Sequence, residues 1–350
     1  MSLKNSKYFE LIKQNIETFR LNLNNYSILL PASPKEPALL AVIAAMAGAK
    51  NIYVKTNKIS VKDNIAKTAT ELGFENIKCV DNITRDLFSE INIVVKGGEI
   101  DNIDGAFLNQ LNKKSVITLF PENLDFTDTE NIDLEAFNKE KASVIGIDPE
   151  DKNLNLYKYF SHILLKRCYE AGLDVYKSRL LLVGHGSLLA SSLQLLKAAG
   201  AIVYSYNIQA SIDQAFLLKR LPELDAIIVM DYPQTSKQVI GSKGAISISD
   251  IVDLCPYAKI IHFSGKLEEN SLNLGKIKCL PAEITQNSIN LNIQELGKNG
   301  LVEIATACIK VADNLIKSRA NTMQITDSVV TYKIINKTQP VLLGWDQRGR

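Results

Sequence analysis

The sequence has 350 residues, of which 46% are hydrophobic and 22% are charged. These proportions are ordinary for a folded globular protein and exclude a disordered or fibrous chain, while the length favours two domains over one. Forty Lys and Arg residues against 38 Asp and Glu leave a formal net charge of +2. No basic block is present that could follow a phosphate backbone, so we expect no nucleic-acid partner.

The cysteines indicate a reducing compartment. They are odd in number and widely spaced, and none forms a C-x-x-C pair: Cys79, Cys168, Cys255, Cys279 and Cys308. This pattern favours neither a disulfide framework nor a metal site. Charged residues interrupt the first apolar stretch, which argues against the core of a signal peptide. No run approaches the ~20 apolar residues of a membrane span. We therefore expect a cytoplasmic protein with no membrane partner and no metal.

The first half of the chain alternates between strands and helices. Helical spacing of apolar residues predicts an amphipathic helix over 5–20. Predicted strands follow at 27–30, 51–54, 76–80, 91–95 and 115–119, with helices at 34–48 and 61–72. The acidic segment 121–151 contains one short apolar stretch, 143–147, and we interpret it as the exit from the first sheet.

The second half repeats the alternation after a helix over 157–168 that could bridge two domains. Predicted strands lie at 180–183, 202–206, 226–230 and 259–263, with helices at 188–199, 212–221, 247–254 and 299–318. Such alternation predicts α/β architecture with two parallel-sheet domains. We assign 1–152 to an N-terminal α/β substrate-side domain and 153–318 to a Rossmann-type nucleotide-binding domain. The tail 319–350, with a strand candidate at 329–335, is expected to complete the first domain.

A glycine turn carries the clearest functional signal. Gly184, His185, Gly186 and Ser187 lie between a buried strand and a helix start, which is the order that a pyrophosphate site requires. The third glycine of that motif is replaced by Leu189, which would hold the helix further from the strand. The alternative is a glycine turn that binds nothing.

The cofactor's identity depends on the end of the next strand. Asn207, 23 residues after Gly184, occupies the position where NAD enzymes place an acid against the adenosine ribose. An uncharged side chain removes the bias against a 2′-phosphate, but no Arg or Lys follows closely to attract one. NAD and NADP both remain open, and Asn207 could equally be a strand-end turn residue.

Order and spacing from about residue 90 to 265 resemble the D-2-hydroxyacid dehydrogenases and their formate dehydrogenase and adenosylhomocysteinase-like relatives. Three segments carry the resemblance: 92–104, 225–235 and 255–265. It implies that backbone amides at Gly97 and Gly98 hold a substrate carboxylate, and that Asp231 and Pro233 lie beneath the cofactor.

The family's Arg/Glu/His catalytic set is not matched. Ser264 stands where the family has its substrate-clamping arginine, and no histidine occurs near 280–283. The histidines are His162, His185 and His262. His262 ends a core strand at the sheet edge where such folds bind ligands, so it is our candidate acid or base, against the alternative of a hydrogen-bonded structural residue.

A second group of residues predicts an anion site in the first domain. Ser33 and Pro34 are typical of a helix N-cap and first turn, and a helix start alone is the alternative. Because this segment follows a strand, it would also direct the side chains of Ser33 and Lys35 toward an interdomain cleft. Lys96, with Gly97 and Gly98, ends another strand on the same edge. We expect Lys35 and Lys96 to anchor an anion, with Lys96 and His262 as the catalytic candidates.

Together these features predict an NAD(P)-dependent oxidoreductase acting on a small anionic metabolite bound in the interdomain cleft. Two alternatives stay open: a degenerate dehydrogenase that binds a nucleotide or another ligand without redox chemistry, and an S-adenosylmethionine-dependent transferase on a Rossmann scaffold. The base rate for oligomers favours a homodimer.

Overall fold

The computed structural model of the chain describes residues 7–33, 36–100, 102–122, 124, 131–140, 142–210, 214–232, 234–268, 277–282, 284, 289, 291–320 and 332–334. Within these residues the chain forms two compact units, each built around its own sheet. Lys35 and Pro233, both predicted site residues, lie outside the described residues.

The first unit begins with alternating helices and strands. Its helices are α1 (Lys7–Phe19), α2 (Leu39–Met46), α3 (Ile59–Leu72), α4 (Arg85–Glu90), α5 (Gly105–Gln110) and α6 (Leu134–Lys139). Its strands are β1 (Ser27–Pro31), β2 (Asn51–Lys55), β3 (Ile77–Val80), β4 (Ile93–Lys96), β5 (Val116–Leu119) and β6 (Val144–Ile147). The apolar stretch 143–147 is therefore a strand of the first sheet rather than only an exit from it.

The second unit continues the alternation. Its helices are α7 (Leu156–Glu170), α8 (Gly186–Ala198), α9 (Gln214–Arg220) and α10 (Ile248–Leu254), with 3-10 turns at Leu221–Glu223 and Ile293–Leu296. Its strands are β7 (Arg179–Gly184), β8 (Ile202–Asn207), β9 (Ala226–Met230), β10 (Gln238–Ile240), β11 (Lys259–Ser264), β12 (Lys266–Leu267) and β13 (Cys279–Leu280). A long helix, α11 (Gly297–Arg319), and a short strand, β14 (Tyr332–Ile334), then return to the first unit.

Both main sheets are parallel, as predicted. The first has the order β3-β2-β1-β4-β5-β6, with β14 added antiparallel to β6 at its edge. The second has the order β8-β7-β9-β11-β13. Central strands such as β4, with Ile93, Val94 and Val95 all fully buried, are apolar on both faces because both faces of a parallel sheet are covered.

Helix α2 begins later than predicted. The expected start at Pro34 with Ser33 as N-cap is wrong, because the helix begins at Leu39 and its N-cap is Ala38. Pro37 gives the physical reason: it has no N–H for a helical hydrogen bond, and it disfavours helical geometry at Glu36. The segment instead forms a turn in which the Leu39 amide donates to the Glu36 carbonyl at 2.9 Å.

Helix α11 belongs to the first unit, whereas the predicted boundary placed it in the second. Thr118 Oγ1 donates to the Cys308 carbonyl at 3.0 Å, and Cys308 Sγ donates to the Leu119 carbonyl at 3.1 Å. The Lys310 ammonium, fully buried, donates to the Arg20 carbonyl and contacts the buried Asp313 carboxylate, both at 3.0 Å. The helix is buried on all sides over most of its length, so it forms part of the core of the first unit.

The five cysteines are free thiols. Burial raises the pKa of Cys168 and of Cys308 to about 12, and that of Cys255 to about 11. Since the thiolate is the reactive form, these three side chains are inert packing groups at neutral pH. No helix within the described residues combines the length and the apolar character that crossing a membrane requires.

Candidate functional site

The chain reverses its direction across the second sheet between β7 and β9. Strand β8 lies on one side of β7, and the chain then crosses back to place β9 on the other side. In open α/β sheets, ligands bind outside the carboxyl ends of the strands at such a point. The predicted glycine turn follows β7 directly, so the topology places it at this position.

Gly184, the last residue of β7, has no room for a side chain. A Cβ atom there would lie 2.2 Å from the carbonyl oxygen of Met230 and 2.7 Å from its carbonyl carbon. The absence of a Cβ lets the end of β7 approach the backbone of β9 closely. The first glycine therefore closes the turn against the neighbouring strand, as the sequence motif predicts.

Gly186 requires glycine for another reason. Its φ is +69°, in the left-handed region, and the nearest atom to a Cβ built there is the Tyr232 carbonyl oxygen, 3.8 Å away. Gly186 also begins α8, and it is exposed together with Ser187. Backbone N–H groups at a helix start attract anions, and an open surface without a side chain lets a phosphate approach them.

Leu188 and Ser192 of helix α8 are fully buried, and the Ser192 hydroxyl lies 3.1 Å from the Ser161 hydroxyl of α7. Leu189, at the position of the missing third glycine, is only partly buried.

His185 is held by a buried carboxylate. Its Nδ1 lies 2.8 Å from Oδ1 of Asp231, and the Asp231 side chain is fully buried. The other oxygen, Oδ2, accepts hydrogen bonds from the backbone N–H of Thr235 at 2.8 Å and from its hydroxyl at 2.7 Å. An ionised carboxylate only accepts hydrogen bonds, so His185 carries its hydrogen on Nδ1. The turn after β7 and the loop after β9 are thus joined by one buried network.

The end of β11 is hydrogen-bonded to Asp231 as well, through its last residue, Ser264. The Asp231 amide donates to the Ser264 carbonyl, and Ser264 Oγ donates to the Asp231 carbonyl, both at 2.9 Å. Ser264, which stands where the resembling family has an arginine, therefore ties two strand ends together.

The side chain of His262, the candidate acid or base, is enclosed by the protein at the end of β11. Its side chain is fully buried, and Nε2 lies 2.7 Å from the carbonyl oxygen of Gly265, to which it donates. This geometry favours the structural alternative, in which the ring fixes the turn after β11. The catalytic role of His262 stays a prediction and gains no support from its position.

Asn207 ends β8 beside the glycine turn, in register with Gly184. It is exposed, and its Oδ1 accepts the backbone N–H of Gln209 at 2.9 Å. The side chain therefore makes the local turn that the sequence offered as the alternative, at the position where a dinucleotide's ribose would lie.

Gly97 and Gly98, two of the predicted residues of the first unit, follow β4 at a point where strand order reverses, between β1 and β4. A Cβ on Gly98 would lie 3.2 Å from Cβ of Pro31, and one on Gly97 would lie 3.4 Å from Oε1 of Glu122. Ser33 and Lys96 are both buried. The ends of β1, β4 and β5 are thus brought together.

Some backbone groups of the turn after β4 already form hydrogen bonds within the turn. The Gly97 amide donates to the Ile100 carbonyl at 3.0 Å, and the Ile100 amide donates back at 2.9 Å. The adjacent Glu99 carboxylate accepts from Thr56 Oγ1 and from the Asn57 amide, both at 3.0 Å. The Gly97 N–H is therefore used within the turn, which departs from the expectation that both glycine amides hold a carboxylate.

Sequence reasoning missed Thr235 and the partnership of His185 with Asp231. The spacing Asp231-x-x-x-Thr235 is a local signal, because a strand-end Asp often accepts from a nearby backbone N–H. No comparable signal links His185 to Asp231, which lies 46 residues away in the sequence. No group of three His, Cys, Asp or Glu side chains in the described part of the chain could hold a metal ion.

The structure is similar to two crystal structures of dipicolinate synthase. The one from Bacillus subtilis is 14% identical, with a TM-score of 0.55 over 87% of this chain and 98% of that chain. The one from Bacillus halodurans is 9% identical, with a TM-score of 0.55 over 85% and 99%. A structure of D-2-hydroxyisocaproate dehydrogenase, 11% identical, aligns over 84% and 97% with a TM-score of 0.47.

No family model matches the sequence, and no curated protein sequence matches it. At identities this low, structural similarity shows a shared fold. At that level, the chain shares the fold of these two dipicolinate synthase structures.

Proposed function

We propose that the chain is a nicotinamide dinucleotide-dependent oxidoreductase that acts on a small anionic metabolite. The observation that carries this proposal is the turn between β7 and α8. Gly184 is closed against the Met230 backbone, Gly186 is left-handed, and the turn lies at the carboxyl edge where the strand order reverses. A loop that only connects a strand to a helix needs neither the close approach of Gly184 nor the left-handed Gly186 at this edge. This arrangement therefore fits a pyrophosphate site better than it fits a simple connecting loop.

The residues present fit such a cofactor. The exposed start of α8 at Gly186 and Ser187 would hold the pyrophosphate through backbone N–H groups. Asp231 fixes the His185 ring through Nδ1, which leaves Nε2 as the ring atom that a ligand could reach. A bound nicotinamide would supply the hydride.

The substrate's anionic group belongs, in this proposal, to the edge of the first sheet. Lys96 at the end of β4 supplies the positive charge, with Ser33 after β1 as a hydroxyl partner. The Gly98 backbone, held by the turn between Gly97 and Ile100, fixes the local shape. The Lys96 ammonium leads us to propose a small carboxylate or phosphate ester as the substrate class.

One observation favours a second candidate, a dinucleotide-binding protein without redox chemistry. His262 is buried against Gly265, and Ser264 is bonded to the Asp231 backbone. Neither residue supplies the acid, base or clamp that the resembling dehydrogenases use. Binding would then be retained while turnover is absent.

Thermal unfolding with a ligand panel separates these functions. The panel is NAD, NADP, their reduced forms, S-adenosylmethionine and S-adenosylhomocysteine, because a ligand at 100 times its Kd adds about 2.7 kcal/mol of stability. We expect stabilisation by a dinucleotide and none by the methyl donor pair. Stabilisation by S-adenosylmethionine alone would contradict the proposal.

Turnover is then followed at the absorbance of the reduced nicotinamide with a panel of 2-oxo acids. Oxidation of the cofactor with one of them supports the oxidoreductase. Tight dinucleotide binding with no oxidation across the panel would favour the binding protein.

A further inference from the structure

The end of β8 lacks the acid that selects NAD. Asn207 is uncharged and exposed, and its side chain is engaged in its own turn with the Gln209 amide at 2.9 Å. In dinucleotide sites an acidic side chain at this position accepts from the ribose hydroxyls and repels a 2′-phosphate. Asn207 removes that repulsion but supplies no attraction.

Lys237 brings a positive charge to the end of β8 from another part of the chain. The ammonium of Lys237, which lies between β9 and β10, donates to the Ile208 carbonyl at 2.8 Å and lies 3.4 Å from the Gln209 carbonyl. Ile208 and Gln209 are the two residues that follow Asn207. An ammonium has three N–H groups, and these contacts use two of them.

The position of Lys237 is set by the buried network described above. Its backbone N–H donates to Thr235 Oγ1 at 3.3 Å, and that hydroxyl donates to the Asp231 carboxylate. The side chain is exposed. The lysine is therefore anchored at its backbone while its charge stays accessible to a ligand at the end of β8.

From this placement we propose that the site selects NADP(H) over NAD(H), with Lys237 as the contact to the 2′-phosphate and Asn207 as the residue that permits it. The inference rests on the proposed function, because it concerns the ribose end of the same dinucleotide. Lys237 acts on binding and takes no part in hydride transfer. The competing interpretation is that Lys237 only caps the carbonyls of the turn after β8.

Calorimetric titration with two fragments isolates this contact. Adenosine 2′,5′-bisphosphate and 5′-AMP differ only in the 2′-phosphate, and neither carries a nicotinamide. We expect the wild-type chain to bind the bisphosphate at least about 10-fold more tightly, the lower end of what a charge-assisted hydrogen bond gives, because the lysine is exposed. The ratio should fall as salt is raised.

Lys237→Met is expected to bring the ratio close to one while leaving 5′-AMP affinity unchanged. Lys197→Met is the matched control. Lys197 is an exposed lysine near the end of α8, about 16 Å along the helix from Gly186, and its replacement should leave the ratio at the wild-type value. A wild-type ratio of one or below, or an unchanged ratio in Lys237→Met, would overturn the proposal.

Failure of this inference can be told apart from failure of the proposed function by adding NADH and NADPH to the titration. Binding of NADH as tight as that of NADPH would reject the selectivity and keep the dinucleotide site. Binding of neither dinucleotide would reject both proposals.

Discussion

Gly184→Ala should destabilise the second unit by roughly 3 kcal/mol, at the upper end of the usual cost of overpacking. The added Cβ would meet the Met230 carbonyl oxygen at 2.2 Å, and that atom belongs to the backbone of the neighbouring strand. Relief therefore requires β7 and β9 to separate, since no flexible side chain can move away. Chemical denaturation followed by circular dichroism measures the change.

Gly186→Ala is the matched control for that substitution. Its Cβ would find nothing nearer than 3.8 Å, so only the left-handed φ of +69° is penalised. That penalty is about 1–2 kcal/mol. Equal destabilisation by the two variants would show that the close approach of Gly184 to β9 is not what the turn depends on.

Asp231→Ala should destabilise the second unit by about 3 kcal/mol, at the upper end of the cost of leaving a buried hydrogen-bonding group without its partner. The Thr235 amide and hydroxyl and the His185 Nδ1 would all lose the acceptor that the fully buried Asp231 side chain provides. Unfavourable desolvation of these groups, more than the lost attraction, sets the size of the effect.

Asp231→Asn should cost far less, about 1 kcal/mol. The amide oxygen can still accept from Thr235, and the amide nitrogen can donate to His185 once the imidazole moves its hydrogen from Nδ1 to Nε2. Nitrogen-15 chemical shifts of the His185 ring report this change of tautomer directly. An unchanged tautomer, or equal costs for the alanine and asparagine variants, would show that the carboxylate does not hold the ring.

The secondary structure around the site was largely predictable because its residues carry local signals. The apolar run from Leu180 to Val183 fixes β7, and the two glycines fix the turn that follows. Pro37 shows the limit of such signals, since the motif at Ser33 and Pro34 predicts a helix start that Pro37 then prevents.

Contacts between distant residues could not be predicted in the same way. Lys237 reaches the end of β8 from 29 residues away, and Asp231 holds His185 from 46 residues away. Nothing in the local sequence of either residue encodes its partner, because the pairing depends on which strands become neighbours. Sequence reasoning could therefore name His185 and Asp231 as site residues, but it could not pair them or find Lys237.

Helix α11 was misassigned for a related reason. Its apolar spacing predicts a helix, and the structure has one. Lys310 and Asp313 of this helix are fully buried and paired with each other at 3.0 Å. Helical spacing does not show which sheet a helix packs on, so the sequence left α11 with the unit that precedes it in the chain.

The most direct test of the central claim is a calorimetric titration of NADH and NADPH into the wild-type chain and Gly186→Val, after circular dichroism has shown that the variant is folded. A branched side chain at the start of α8 would occupy the approach to its backbone N–H groups. We predict that the dinucleotide bound by the wild-type chain binds Gly186→Val at least about 30-fold more weakly, which corresponds to about 2 kcal/mol. Equal affinities in the two folded proteins would contradict the assignment of this turn as the pyrophosphate site.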